Sequence, residues 1–468
     1  MRLPSRAAVD RARIELDRRL GTSKVLVDAD ACAAYASDES DASGRPPDAV
    51  VLATSAEDVT AALAIADSCD VPITPRAAGT GRSGGAVPAA GGIVLATHKL
   101  CRIKEIDRQN LIAVVEPGVV TGDLHDTVER EGLFYGPDPN SLESCQIGGN
   151  IAENAGGPRA FKYGVTRDWV LALEAHLVGG RRIHTGRRTS KGVTGYDVTA
   201  LLVGSEGTLA IFTEATLRLV SKPSAVSTAL VLFRDVVAAA GAIAPILAAG
   251  VVPRCLEMLD TATLGAVRSA GVAVDPRAGA MLLAEVDGDA VENALLRLAE
   301  AATASPGCID VLVARDGAER NRLWAARRML SRATRKLARY KLSEDVVVPR
   351  TRIAELLQRV DEIGIETGVR HLAYGHAADG NFHVNFLWND ADERPAVDRA
   401  IDRLMHVTIE LGGTLSGEHG IGISKAAFLP LEQSPSLIEL QKDIKRAFDP
   451  KGLLNPGKIF PSNGHAAC

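Results

Sequence analysis

Residues 72–86 read PITPRAAGTGRSGGA, and the way the chain leaves this stretch decides the fold. Gly79, Gly81 and Gly84 satisfy the GxGxxG spacing of a dinucleotide fingerprint, although a chain with 44 glycines makes chance matches easy. A true fingerprint needs a helix that begins at the loop and an acidic residue about 20 positions on for the ribose hydroxyl. Here Pro88, Gly91 and Gly92 interrupt the chain, which runs straight into an apolar strand at 93–97. No helix can start there. Two uses survive: a non-helical nest, whose successive N–H groups close around a pyrophosphate without Cβ obstruction, or merely a tight turn.

Outward from the loop, the pattern predicts a strand at 50–53 and a helix over 56–68 entered through a Thr54/Glu57 capping box. A strand at 71–75 then leads into the glycines. Shorter strands are expected at 111–115, 170–178 and 182–184, the last two joined in a hairpin at Gly179-Gly180. Lys222-Pro223-Ser224 reads as a boundary. Beyond it, strands at 227–233, 280–286 and 309–313 alternate with helices ending near 249, over 290–303, and in a long basic run over 318–338. That alternation predicts a second α+β domain with helices on a sheet.

Composition sets limits on function. The 468 residues suit two or three domains, with 46% hydrophobic, 24% charged and only 4% aromatic residues. Lys plus Arg number 53 against 58 Asp plus Glu, so a net charge of −5 draws the chain to no polyanion and nucleic acid is not an expected partner. The seven cysteines never take a CxxC spacing, which argues against a disulfide framework, a zinc ribbon or an iron–sulfur cluster. The first twenty residues interleave charges and lack the apolar core of a secretory signal. The longest uncharged run, 236–252, is broken by Gly241 and Pro245 and falls short of the roughly 20 residues a membrane span needs. The expected location is cytoplasmic, a peripheral position at the inner membrane being compatible.

The loop at 72–86 resembles the pyrophosphate loop of the flavoprotein family typified by vanillyl-alcohol oxidase and p-cresol methylhydroxylase. Further stretches agree in order: EPGVVTGDL at 116–124, GPDPNSLESCQIGGNIAENAGG at 136–157, YGVTRDWVLALEAHLVGG at 163–180 and LLVGSEGTLAIFTEATLRL at 201–219. GHAADGNFHVNF, GEHGIGISK and FDPKGLLNPGKIF are similar to the branch holding D-lactate dehydrogenase, the glycolate oxidase FAD subunit and D-2-hydroxyglutarate dehydrogenase. Ala77, Ala78, Ala378 and Gln146 depart from residues common in that family.

This resemblance, which spans about residues 45–460, implies an α+β chain in five parts. An N-terminal helical segment (1–44) precedes a two-subdomain FAD-binding module (45–222). After these come a substrate or cap domain with an antiparallel sheet (223–410), a segment returning to the flavin site (411–460) and a tail (461–468). The resemblance places FAD against Arg76, Gly79, Thr80, Gly81, Ser83, Gly84, Pro137, Gly148, Gly149, Asn154, Gly157, Gly164, Glu206 and Asn455. The position that bonds the flavin covalently in some relatives falls within Ala78-Gly79-Thr80, which implies non-covalent FAD.

Among the ten histidines, His371, His376, His383 and His419 fall within one stretch of 49 residues. His376 and His383 flank an Asp379-Gly380-Asn381 turn signal, so a hairpin would bring both imidazoles to one end of a ribbon. By themselves these could be metal ligands or ordinary surface or core histidines. The resemblance implies His376, His383 and Glu418 as ligands of one divalent metal, zinc or manganese, with positions left open as a catalytic site requires. It implies His419 as the base that removes a hydroxyl proton, with hydride leaving the substrate α-carbon for flavin N5. Arg327 matches an arginine suited to bidentate carboxylate binding, and Asn385 a substrate-side polar residue. Diacid-specific relatives tend to have a lysine near Ser343, where Lys341 is only a neighbour, which favours a small monoacid.

The expected activity is therefore an FAD- and metal-dependent dehydrogenase of a D-2-hydroxy acid, D-lactate or glycolate, with D-2-hydroxyglutarate as the alternative. Two other readings stay open: a flavin subunit inactive without an iron–sulfur partner, and a non-catalytic flavin sensor. Electrons would pass to an electron-transfer flavoprotein, a quinone, a cytochrome or an iron–sulfur subunit, and a homodimer is compatible with the sequence.

Overall fold

The computed structural model describes residues 3–461, so most of the expected tail, Cys468 included, lies outside the described residues. Two compact units emerge. Among the described residues, the first comprises 3–156, Gly164–Lys222 and 418–461; the second comprises Gly157–Tyr163 and Pro223–Gly417.

The first unit holds two main sheets. One has four strands in the order Val25–Leu26, Ala49–Leu52, Ile93–Ala96, Ile73–Arg76, the last three mutually parallel. Ala49–Leu52 and Ile93–Ala96 are buried at every residue, which is why they read as continuous apolar runs rather than alternating ones. The helices Arg6–Leu20 and Ala56–Cys69 contribute Leu16, Val59, Leu63 and Ala66 to the core over this sheet. The second sheet is antiparallel, in the order Ile103–Asp107, Ile112–Val115, Ile211–Arg218, Val170–His176, Arg182–Gly186.

The cap of helix Ala56–Cys69 sits one residue later than the sequence pattern suggests. Ser55 is the N-cap and Asp58 closes the box. The shift has a physical cause: Asp58 is buried, paired with Lys24 Nζ at 2.8 Å, and accepts from Thr54 N and Thr54 Oγ1 at 2.8 and 2.9 Å. Glu57 lacks those partners and is exposed.

The second unit is built on one seven-stranded antiparallel sheet, in the order Cys308–Val313, Val226–Phe233, Ala280–Asp287, Cys255–Leu259, Arg370–His376, Asn381–Trp388, Tyr340–Val347. Leu230, Leu259, Leu283, Tyr374 and Leu387 pack with Leu264 and Val267 of helix Thr261–Ser269 and with Leu330 of helix Ala325–Arg335. The long basic helix expected over 318–338 is two helices, Gly317–Leu323 and Ala325–Arg335. They meet at Trp324, whose indole Nε1 donates to Glu285 Oε1 at 2.8 Å.

Candidate active site

In the first unit the glycine-rich loop has the shape the sequence suggests. No helix succeeds it; the next element is the strand Ile93–Ala96. Gly79 and Gly84 have φ of 73° and 84°, the left-handed region where a Cβ is strained. Among the described residues, the N–H groups of Ala78, Gly79, Thr80, Gly81 and Arg82 donate to no protein acceptor. A Cβ on Gly81 would meet nothing closer than Asp38 Oδ2 at 3.8 Å. These residues are half-buried to exposed, so the successive N–H groups are open to an acceptor from outside the chain. That fits a polyphosphate-bearing cofactor better than a plain turn.

The C-terminal segment is stitched to this loop. Ile423 N and Ser424 N both donate to Ser83 O, at 2.8 and 3.1 Å. Glu206, at φ 51°, accepts from Ile421 N at 2.8 Å and Gly422 N at 2.6 Å. Asn455 donates through Nδ2 to Gly85 O at 3.0 Å and Glu206 O at 2.8 Å, while its backbone N donates to Ile73 O at 2.8 Å. The buried Oγ of Ser83 and Oδ1 of Asn455 have no protein hydrogen-bond partner among the described residues. His419 and Glu418 lie two and three residues before Ile421. Glu418 Oε2 lies 3.1 Å from where a Cβ on Gly156 would stand, so glycine at 156 gives that carboxylate its room.

Other residues expected to touch FAD have protein duties. Arg76 Nη1 donates to Ser37 O at 2.6 Å, and its guanidinium lies 5.8 Å from the Tyr35 ring centre. Pro137 O is bonded to His125 Nε2 at 2.9 Å. Asn154, at φ 55°, accepts from Arg167 N at 2.8 Å and ends helix Ile147–Glu153, which carries Gly148 and Gly149. Gly164, at φ 77°, stands where a Cβ would collide with Asp168 Oδ2, and Gly157 falls in the second unit. Beside Glu206 lies Glu153, whose carboxyl is pushed well up by burial and by the Glu206 charge. Lys458 donates to Val87 O at 2.7 Å and is pushed down to about 8 by burial.

In the second unit the two histidines converge. The turn at 377–380 puts His376 opposite Asn381 and Tyr374 opposite His383, so both imidazoles stand on one face. The four-residue turn reconciles their odd spacing in sequence with a shared face. Their rings meet edge to face with centres 5.5 Å apart, and both are buried. Asp345 stands opposite His383 on the next strand. Its Oδ1 accepts from Asn381 Nδ2 at 2.6 Å, and its Oδ2 from Ser416 Oγ and Gly417 N at 2.8 Å each.

Glu257, opposite His376 on the other side, received no role from the sequence, yet it organises this end of the sheet. Its Oε1 lies against His376 Nδ1 and its Oε2 accepts from Arg327 Nε at 2.5 Å. Burial alone would raise its carboxyl, but His376 and Arg327 outweigh that and hold it at about 2. Arg327 is thus anchored from behind, its guanidinium 5.1 Å from the Tyr374 ring centre. Asn385 donates to His383 O at 3.0 Å, and its buried Oδ1, like Oγ of Ser343 opposite it, has no protein partner among the described residues. The signal for Glu257 was an acid inside the apolar strand CLEML, a place where a carboxylate requires a partner. His371, by contrast, is bonded to Asp361 Oδ1 at 2.8 Å and is not among the converging residues.

A non-helical glycine cradle of open backbone donors suits a pyrophosphate, and the comparisons make the class definite. Residues 47–186 match the FAD binding domain, and residues 222–459 match the C-terminal domain of FAD linked oxidases. The chain belongs to the FAD-linked oxidases and is an FAD-dependent oxidoreductase. It is 41% identical to glycolate oxidase subunit GlcD of Bacillus subtilis over 88% of this chain and 89% of that one. It is 38% identical to a D-lactate dehydrogenase of Archaeoglobus fulgidus, over 88% and 90%. The fold is that of p-cresol methylhydroxylase, with a TM-score of 0.81 at 17% identity over 99% of both chains. No described helix is long and apolar enough to cross a membrane.

Proposed function

We propose that the chain oxidises a D-2-hydroxy acid of the D-lactate or glycolate class to its 2-oxo acid. Residues 45–222 would hold non-covalent FAD, residues 223–410 would shape the substrate side, and 411–460 would return to the flavin. When bound, FAD supplies the two-electron acceptor and a divalent metal, zinc or manganese, supplies a Lewis acid. His376, His383 and Glu418 are the ligands; two imidazoles and a carboxylate suit such an ion with positions left open. Arg327 binds the substrate carboxylate, and Asn385 turns its unspent Oδ1 toward the substrate. His419 takes the hydroxyl proton at a ring nitrogen as the α-carbon gives up its hydride.

The strongest support is the buried edge-to-face pair of His376 and His383, backed by Glu257. The test is anaerobic reduction of the flavin band against a panel of D- and L-2-hydroxy acids. D-lactate or glycolate should bleach it fastest, and D-2-hydroxyglutarate more slowly. A flavin that no 2-hydroxy acid bleaches would overturn the assignment and favour a sensor.

A second reading has its own support, since the Bacillus relative is named as a subunit of glycolate oxidase. Electrons would then leave through a partner polypeptide, in the cytoplasm or at the inner membrane surface. Turnover of the pure chain with an artificial dye, set against turnover that requires a co-purified subunit, separates the two.

A further inference from the structure

Cys255–Leu259 is buried at every position, and Glu257 is its one charged residue. Removing a carboxylate from water costs several kcal/mol unless partners compensate. Both oxygens of Glu257 are compensated, and by residues of different kinds: Oε1 by the His376 ring, Oε2 by the Arg327 guanidinium. Sheet register fixes the first contact, because Glu257 and His376 are directly paired across adjacent strands. Tyr374, two residues before His376 and on the same face, lies beneath Arg327 and steadies the second. One buried carboxylate therefore links the proposed metal ligand to the proposed substrate arginine.

We propose that Glu257 is a positioning residue that locks the His376 ring in one tautomer and couples its orientation to that of Arg327. A carboxylate offers only lone pairs, so the ring nitrogen facing it must carry the proton. Nδ1–H donates to Glu257, and Nε2 keeps the lone pair with which a histidine ligates a metal. Oriented in this way the ring is also more basic toward the ion. The consequence for binding rests on the proposed ligation by His376; the tautomer does not.

The two parts are tested separately on the full FAD-loaded chain. In chelator-treated wild type with 15N-labelled histidine, NMR should show His376 protonated at Nδ1; a proton on Nε2 alone overturns the proposal without any variant. Calorimetric titration with Mn²⁺ or Zn²⁺ should then find Glu257→Gln about 10- to 100-fold weaker than wild type, with FAD content retained. Glu257→Asp should recover part of the loss, and KM for the substrate acid should rise in step with the metal defect. Glu285→Gln is the control for generic damage: that carboxylate bonds Trp324 and Thr228, so its variant should keep wild-type metal affinity. Equal metal affinity in wild type and Glu257→Gln, with KM unchanged, would refute the coupling. A wild type that binds neither ion would refute the metal assignment, leaving the NMR result to decide on the tautomer.

Discussion

The glycine loop of the first unit and the strand end of the second are built on opposite principles. At residues 78–82 the useful groups are backbone N–H donors, and side chains matter mainly by being absent. At Glu257, His376, His383 and Arg327 the backbone is consumed by the sheet ladder or by a helix, and everything useful is a side chain held by another. The first region should therefore be most sensitive to added atoms, the second to changed charge.

The largest expected effect is at the proposed base. His419→Asn should slow substrate-driven flavin reduction by about 10²–10⁴-fold while FAD content stays at the wild-type level. Single-turnover reduction beside the visible spectrum checks it, and a fast variant would remove His419 from the chemistry. Although His419 belongs to the first unit, changing its side chain should cost rate and not cofactor.

The reverse pattern should hold at Gly81. Its Cβ position is open and its backbone is not in the left-handed region, so Gly81→Ala should leave the thermal midpoint of the FAD-free protein unchanged. It should nonetheless weaken FAD binding, because the methyl would stand where a cofactor must approach the N–H groups. Unchanged FAD affinity would reduce the loop to a plain turn. Gly422→Ala should differ: at φ 53°, with its Cβ position in collision with Ser83 O, it should lower both stability and FAD content.

Within the second unit, two buried acids three positions apart sharpen the contrast further. Glu257 has the Arg327 guanidinium and the His376 ring beside it and is held at about 2, whereas Asp260 has N–H donors and Thr263 bonded to it, and burial pushes it up to about 6. A carboxyl whose folded pKa exceeds its unfolded value of about 3.8 stabilises the fold when protonated. That contribution is present below about pH 3.8 and is lost as pH rises through 6. The loss is about 3 kcal/mol at most. Asp260→Asn should flatten this part of the stability profile, measured by chemical denaturation between pH 4 and 7, although the amide weakens the acceptor that Ala373 N uses at 2.7 Å.

Legibility in the sequence divides along the same line. The loop, the hairpin turn at 377–380 and the boundary near Lys222 are local in the chain, so spacing and glycine placement reveal them. Glu257 meets His376 across 119 residues, and Glu206 meets Ile421 across 215, and no local pattern encodes either pairing. Glu206 illustrates the difficulty: its GSEGT setting marks it as important, yet its carboxylate is committed to the backbone of the C-terminal segment. The break at Trp324 was hidden for a similar reason, since the acceptor for its indole, Glu285, lies 39 residues back.

The smallest effect tests the register of a single cap. If Ser55 and Asp58 form the box, Ser55→Ala should cost about 1 kcal/mol, because the alanine leaves Asp58 N without its acceptor. Glu57→Gln should cost less, since that side chain is exposed and its bond to Ser55 lies outside the box. Asp58→Asn should exceed both: it discards the buried pair with Lys24 and presents an amide to Thr54 N, Thr54 Oγ1 and Ser55 N, which now donate to a carboxylate. Urea midpoints for the three variants rank the effects directly. A Glu57→Gln protein weaker than Ser55→Ala would return the cap to Thr54 and Glu57, one residue earlier, and with it the exit of the strand Ala49–Leu52.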